Sequence, residues 1–377
     1  MSLEKLVDIS RYYGSNPDYV IAGGGNTSFK DESTLLVKGS GTNLGEIGPE
    51  GFVTMDRKKL NRIWNKQYPA DEDTREAELV LDMMAARADT EGSRRPSVET
   101  LLHNILPFAY VVHTHPSLVN GFACSQKGEA AAKELFGDEY LWTPSINPGY
   151  SLSMAAKAVF DQHLARTGKT AEVIFLQNHG IFVGSDSIEG IKALYEKIIA
   201  VLEKKITRRP DFSGKTGVYK DSEEIARRLT ACAGQNARVI FERNGEFIRF
   251  TRSLADFYPV SSAFSPDHMI YSGSDPLFIE IKDTQPLADQ IRNAWKQHLD
   301  AIGIPPKIVA VQDRGIFGIG TSERNAALAL ALFTDSAKIA VYAEIFGGVR
   351  FMTRDKIDFI NNWEVEKYRA QVNEGGR

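Results

Sequence analysis

The stretch Ala109-Tyr110-Val111-Val112-His113-Thr114-His115-Pro116 decides how this chain is read. It is a short apolar run, the pattern of a buried strand, and it ends in two histidines one residue apart. Side chains on a strand alternate between faces, so His113 and His115 share one. Imidazoles at that spacing can hold one metal ion between them, and zinc favours nitrogen donors. Taken alone, H-x-H equally fits polar side chains at a strand end, satisfied by backbone groups. A third histidine adds weight to the metal reading. Val173-Ile174-Phe175-Leu176 is another apolar run, and Gln177-Asn178-His179-Gly180 follows it. The chain has 7 histidines in all, and His113, His115 and His179 each close a predicted strand.

Upstream, Pro96-Ser97-Val98-Glu99-Thr100-Leu101-Leu102-His103 predicts a short helix with Ser97 as its N-cap. Glu99 and His103 then share a helical face. Pro107 ends that helix and delivers the chain to the histidine strand. Glu99 fits either a dipole-stabilising first-turn carboxylate or a reactive one beside a metal. Nearer the N-terminus a helix is expected over 4–13, and Tyr19-Val20-Ile21-Ala22 predicts a strand running into Gly23-Gly24-Gly25-Asn26-Thr27-Ser28. Backbone N–H groups of such a loop can form an anion nest. It is not a P-loop, because no Gly-Lys-Ser/Thr follows. A second strand, Leu35-Leu36-Val37-Lys38, runs into Gly39-Ser40-Gly41-Thr42. The two loops together suggest two walls of one anion pocket, with Lys38 adding a point charge. Further helices are expected over 74–88, most of 117–140, 151–167 and 188–205, with a polar loop at 91–95 and a turn-rich segment at 144–148. The polar stretch 208–220 reads as an interdomain linker.

Composition narrows the classes. The net charge of -4 gives no electrostatic case for nucleic acid or an anionic membrane. No uninterrupted apolar run is expected to span a bilayer, and the N-terminus carries no signal-peptide h-region. Cys124 and Cys232 allow no disulfide framework, so a reducing, cytoplasmic setting is expected. Cys124 reads as a small core residue.

The second half echoes the first. Residues 173–182 read VIFLQNHGIF and 308–317 read IVAVQDRGIF. Each is an apolar strand, a glutamine, a polar pair and Gly-Ile-Phe. Arg314 falls where His179 stands, and the second copy lacks H-x-H. A degenerate repeat of one supersecondary unit is inferred. The glycines at 315, 318 and 320 do not have dinucleotide-loop spacing.

With GGGNTS, VKGSG, PSVETLLH, VVHTHP and QNHG in order, the chain resembles the class II aldolase family of the fuculose/rhamnulose phosphate aldolase type. The likeness is nearest to the aldolase part of bifunctional rhamnulose-1-phosphate aldolase/alcohol dehydrogenase proteins. It covers residues 20–200, and 266–273 and 361–369 look like the segment those fusions carry before the dehydrogenase, which is expected to be absent here. The resemblance implies a three-layer α/β/α domain with a largely antiparallel sheet over 1–207, a linker at 208–222, and a degenerate related α/β domain over 223–377. It implies Zn2+ or another divalent metal on His113, His115 and His179, and Glu99 as the catalytic acid/base. Gly25, Asn26, Ser40, Gly41 and Ser97 match the phosphate-holding residues. The family's second serine before the glutamate is Val98 here, one hydroxyl fewer, and no tyrosine matches the family's aromatic proton donor.

The implied reaction is cleavage of a ketose, such as a deoxyketose 1-phosphate, into dihydroxyacetone phosphate and an aldehyde through an enediolate. A sugar or sugar phosphate is then the ligand, with homo-oligomers expected and neither nucleic acid nor membrane as partner. Relatives on this scaffold are epimerases, decarboxylases, dehydratases or non-catalytic assembly proteins. The epimerases tend to carry aspartate where Glu99 stands, which favours aldol chemistry.

Overall fold

The apolar run before the paired histidines forms a strand, Tyr110–Thr114, buried along its whole length. The structure is a computed structural model and describes residues 2–89, 94–214, 219 and 221–363. Within these the chain divides into two compact units. One comprises Met1–Ala123, Lys127–Lys205 and the chain from Asp358; the other comprises Cys124–Gln126 and Ile206–Ile357.

The first unit is built on β1 (Asn26–Lys30), β2 (Thr34–Lys38), β3 (Phe52–Asp56), β4 (Tyr110–Thr114), β5 (Tyr140–Thr143), β6 (Val173–Leu176) and β7 (Gly180–Ser185). Their order across the sheet is β3-β2-β1-β4-β7-β6-β5. Every neighbouring pair is antiparallel except β5/β6. The central position of β4 explains its unbroken apolar run, since both of its faces are covered. Tyr195, on the helix Ile188–Glu203, reaches Thr114 Oγ1 at 2.7 Å and the Val112 carbonyl at 3.3 Å on one face. On the other, Val111 and Phe182 pack with Leu102 and Leu106 and with Leu152, Ala156 and Phe160 of the helix Tyr150–Thr167. Helices therefore cover both faces, giving the α/β/α layering.

The second unit carries a four-stranded sheet, β8 (Arg238–Glu242), β9 (Leu277–Ile279), β10 (Ile308–Val311) and β11 (Gly315–Gly320), in the order β8-β11-β10-β9. Again one edge pair, β9/β10, is parallel. Its apolar core includes Phe247, Phe250, Phe264, Phe333 and Cys124. Cys124 is buried as expected, but in the core of the second unit.

Several local expectations are corrected. Tyr19–Ala22 is not a strand; the chain turns there, Ala22 has φ 54, and the strand begins only at Asn26, after the glycines. Ser97 is not the N-cap. The helix is Thr100–Ile105, Glu99 occupies the cap position, and Ser97 Oγ instead accepts from the Glu99 N–H at 3.2 Å. The segment 117–140 is mostly helical, as expected, in two helices, Ser117–Ala123 and Gly128–Phe136, and ends by entering β5. Within the stretch expected as a linker, Arg208 Nη1 and the Asp211 N–H both donate to Glu246 Oε2, and at its end begins the helix Ser222–Ala233. Residues 215–218 and 220, the loop residues 91–93 and the tail residues 364–369 lie outside the described residues. Among the described residues, 358–363 group with the first unit. One helical stretch among the described residues, Glu323–Phe346, is long and apolar enough by length and composition to cross a membrane, but it is interrupted by Arg324, Asp335 and Lys338, and 67% of its most apolar 18-residue window is buried inside the fold.

Glu76, on the helix Glu72–Ala85, is buried and accepts the Tyr150 N–H at 3.1 Å. Burial pushes its pKa up to about 7, more than this hydrogen bond and Arg75 pull it down. A raised carboxyl pKa means the folded state binds the extra proton, so its stability contribution is whole at low pH and is lost as pH rises through about 7. Glu76→Gln keeps an acceptor oxygen without the charge. It should therefore stabilise the fold by on the order of 2–3 kcal/mol at about pH 8 and by about a quarter of that at about pH 5. Thermal melts at the two pH values check this, and equal shifts would refute it.

Candidate metal centre

Three histidines are brought together by one hairpin and its neighbour. β4 and β7 pair with His113 opposite Phe182 and Thr114 opposite Ile181. His115 lies one residue beyond β4, on the same face as His113. The turn between β6 and β7 places Asn178 in the left-handed region at φ 58 and presents His179 beside the pair. The potential ligand atoms of His113, His115 and His179 all lie within 4.8 Å of one another, and His113 Nε2 is 2.9 Å from His115 Nε2. Gly180 is required here. A Cβ would stand 2.5 Å from the Thr114 carbonyl and 2.6 Å from His115 Cδ2.

Glu99 reaches the same point from the start of its helix. Its Oε1 is 3.3 Å from His113 Nε2 and 3.3 Å from His179 Nε2. That oxygen is buried with no hydrogen-bond partner among the described residues, whereas Oε2 accepts from Asn26 Nδ2 at 2.6 Å. Buried polar atoms are normally satisfied. An orphan carboxylate oxygen facing converging imidazole nitrogens fits a cation. His113 supports this fit, since its Nδ1 donates to the Ile181 carbonyl at 2.9 Å and leaves the Nε2 lone pair facing the cluster. The donor set of three imidazoles with an adjacent carboxylate suits a divalent metal.

Electrostatics place the groups in ligand-ready states. Burial drives the His113 pKa well below its ordinary value. Burial would raise Glu99, but the neighbouring imidazoles of His113 and His179 and the Asn26 amide outweigh it, holding the carboxyl at about 2.

The residues expected to hold phosphate lie on three adjoining segments. Gly25 has φ +62, and a Cβ there would meet the His113 carbonyl at 2.8 Å. The Ser97 N–H donates to the Lys38 carbonyl and the Ser40 N–H to the Arg95 carbonyl, so residues 95–97 lie along 38–40; Gly41 follows at φ 78. One expectation is corrected, and one side chain has partners of its own. Lys38 is buried and donates to the Gly23 carbonyl at 2.9 Å and the Gly25 carbonyl at 2.7 Å, so it braces the glycine loop rather than charging a pocket wall. The Asn26 side chain is engaged at both ends, its Oδ1 hydrogen-bonding His103 Nε2 and its Nδ2 donating to Glu99.

His103 is the residue that sequence reasoning missed. Burial lowers its pKa to about 3, so it is neutral. With Asn26 Nδ2 donating to Glu99, Asn26 Oδ1 must accept, so His103 Nε2 donates and its Nδ1 accepts from Ser28 Oγ at 2.7 Å. The chain Ser28–His103–Asn26–Glu99 thus runs in one direction and aims the carboxylate. The four-residue spacing of Glu99 and His103 was a signal, but nothing in it pointed to Asn26.

Residues 4–204 match the family model described as Class II Aldolase and Adducin N-terminal domain. The Bacillus subtilis (strain 168) protein called uncharacterized oxidoreductase YuxG is 23% identical over 418 residues, covering 98% of this chain and 58% of that protein. The chain thus spans little more than half the length of this curated relative. Among solved structures, the N-terminal class II aldolase domain of a conserved Thermoplasma acidophilum protein is 25% identical, with a TM-score of 0.45, covering 54% of this chain and 92% of that one. The L-fuculose-1-phosphate aldolase from Thermus thermophilus is 16% identical, with a TM-score of 0.32, covering 54% and 90%.

Replacing His179 by Ala removes the one nitrogen supplied by the hairpin turn. Purified His179→Ala is expected to lose stoichiometric divalent metal while the parent retains about one ion per chain, measured by elemental analysis. Full retention in the variant would remove His179 from the centre.

Proposed function

We propose that this chain, which belongs to the class II aldolase and adducin N-terminal domain family, is a metal-dependent lyase. It would cleave a ketose, best a ketose 1-phosphate, into dihydroxyacetone phosphate and an aldehyde. The observation that carries this reading is the unsatisfied Oε1 of Glu99, buried at the point where His113 and His179 converge. A divalent ion held by His113, His115 and His179 would supply Lewis acidity, stabilising negative charge on the substrate carbonyl oxygen.

The protein's own part is proton handling and placement. In retro-aldol cleavage the hydroxyl that becomes the aldehyde gives up its proton, the electrons of the C–C bond move toward the carbonyl, and a proton, taken up by the ionised carboxylate from that hydroxyl directly or through solvent, is returned to the carbon left behind. Glu99 Oε1 would hold that proton, being an acid–base atom at the centre with no competing hydrogen bond among the described residues. Asn26 fixes Oε2, and His103 fixes Asn26, so Oε1 keeps one direction. Gly25, Ser40, Gly41 and Ser97 are the phosphate-holding set in this proposal. The oxyanion would be met by backbone N–H groups and hydroxyls. Val98, apolar where the resemblance has a serine, favours as a second reading a ketose without phosphate.

The test is a cleavage screen of ketose 1-phosphates and free ketoses with metal-replete protein, following release of dihydroxyacetone phosphate or aldehyde. Cleavage of none of them would refute the lyase reading. Glu99→Gln should lower turnover by at least about 100-fold with metal still bound. If that variant loses its metal, Glu99 is a ligand first. Asn26→Ala should cost about 10-fold in turnover, again with metal retained. Parent-like turnover would show that Glu99 needs no such support.

A further inference from the structure

The second unit repeats the first more closely than the sequence echo shows. The hairpin β10/β11 has the register of β6/β7: Val311 faces Gly315 as Leu176 faces Gly180. Asp313 takes the left-handed φ of Asn178, at 55 against 58. The Gln312 N–H donates to the neighbouring parallel strand at the Ile279 carbonyl, as that of Gln177 does at the Thr143 carbonyl. Ser322 caps its helix through the Asn325 N–H, as Ser187 does through that of Gly190. β8 pairs with β11 as β4 pairs with β7, setting Phe241 opposite Phe317 where His113 faces Phe182. The helix start repeats too. Ser222 donates from both its N–H and its hydroxyl to the Tyr219 carbonyl, as Thr100 does to Ser97.

This register fixes what stands in each position of the metal centre. Phe241 replaces His113, Arg243 replaces His115 and Arg314 replaces His179. Asp221 replaces Glu99, and Tyr219 replaces Ser97. Asp221 Oδ2 lies 3.5 Å from Arg314 Nε, the counterpart of the Glu99–His179 contact. The guanidinium carbons of Arg243 and Arg314 lie 4.8 Å and 5.7 Å from the centre of the Tyr219 ring. All three imidazole positions are therefore filled by side chains that do not ligate metals. The charge is nonetheless like that of a loaded metal centre. A divalent ion among neutral imidazoles and one carboxylate leaves one positive charge, and two guanidiniums with one carboxylate leave the same.

We propose that the second unit holds a binding site for a small oxyanion, a phosphate or carboxylate group, gripped by Arg243 and Arg314 beside Tyr219. Arg243 Nε is buried and has no hydrogen-bond partner among the described residues. A buried charged donor left unmet is costly, and an oxyanion would satisfy it. The Arg243 guanidinium carbon lies over the Tyr219 ring, a cation–π contact that leaves its N–H groups available, and bidentate N–H contact is what suits arginine to phosphate and carboxylate. Asp221 takes up part of the charge of Arg314, so Arg243 carries the main grip. This inference is independent of the reaction proposed for the first unit.

The test is calorimetric titration of the full, metal-replete chain with inorganic phosphate and, separately, with succinate. Arg243→Gln and Arg314→Gln should each weaken binding of the preferred anion about 10-fold or more, and the double variant should lose one binding equivalent per chain. Metal content should stay at the parent value throughout, which reports an intact first unit. Arg243→Lys keeps the charge without the planar fork, and serves if the glutamine variants fold poorly. It should still weaken binding, by a smaller factor. Whichever of phosphate or succinate binds more tightly identifies the group recognised. A parent that binds neither anion overturns the proposal, as does a double variant or a lysine variant with parent affinity and stoichiometry.

Discussion

One backbone register, the pairing of β4 with β7, carries the candidate metal centre. It sets His113 opposite Phe182, stacks the two rings with centroids 4.1 Å apart, and brings the following turn alongside His115. Side chains on a strand alternate, so a slip of one residue would turn the histidines to the opposite face, toward Tyr195. The register is protected by burial on both faces and by Gly180, whose missing side chain lets the turn close against Thr114 and His115. The imidazoles then follow from the pairing.

A second constraint is polar. Ser28, His103, Asn26 and Glu99 form a buried line of hydrogen bonds running in one direction. Lys30 adds to it from beneath, donating to the His103 carbonyl at 2.8 Å. Buried polar networks are costly when incomplete, so such a line favours a single arrangement. The atom at its open end is Glu99 Oε1, and the unsatisfied valence is thereby placed at the histidines.

Much of this is legible in the sequence, and the reasons differ by element. β4 and β6 are readable because both are continuous apolar runs, which buried strands need. The H-x-H spacing implies a shared face without any knowledge of the partner strand. The glycine loop misleads: Tyr19–Ala22 has strand composition but forms a turn, and the strand lies after the glycines, in the less apolar Asn26–Lys30. Lys38 resembles a pocket charge because sequence cannot show that two carbonyls wait for its ammonium. β5 is hidden behind a helical pattern, and the role of His103 behind a pairing between residues far apart in the chain. The duplication is visible only at its hairpin, because the helix start at 219–222 repeats hydrogen bonds and not residue types.

The edge pair β5/β6 is parallel, and parallel neighbours have to be joined by a crossover, here through the helix Tyr150–Thr167. His113 and His115 are therefore separated from His179 along the chain by the whole crossover, and only the pairing of β4 with β7 brings the third imidazole back to them. Two nitrogens make a weak clamp and three a strong one. The three-nitrogen cluster therefore exists only in the closed sheet, and no shorter stretch of the chain carries all of its donors.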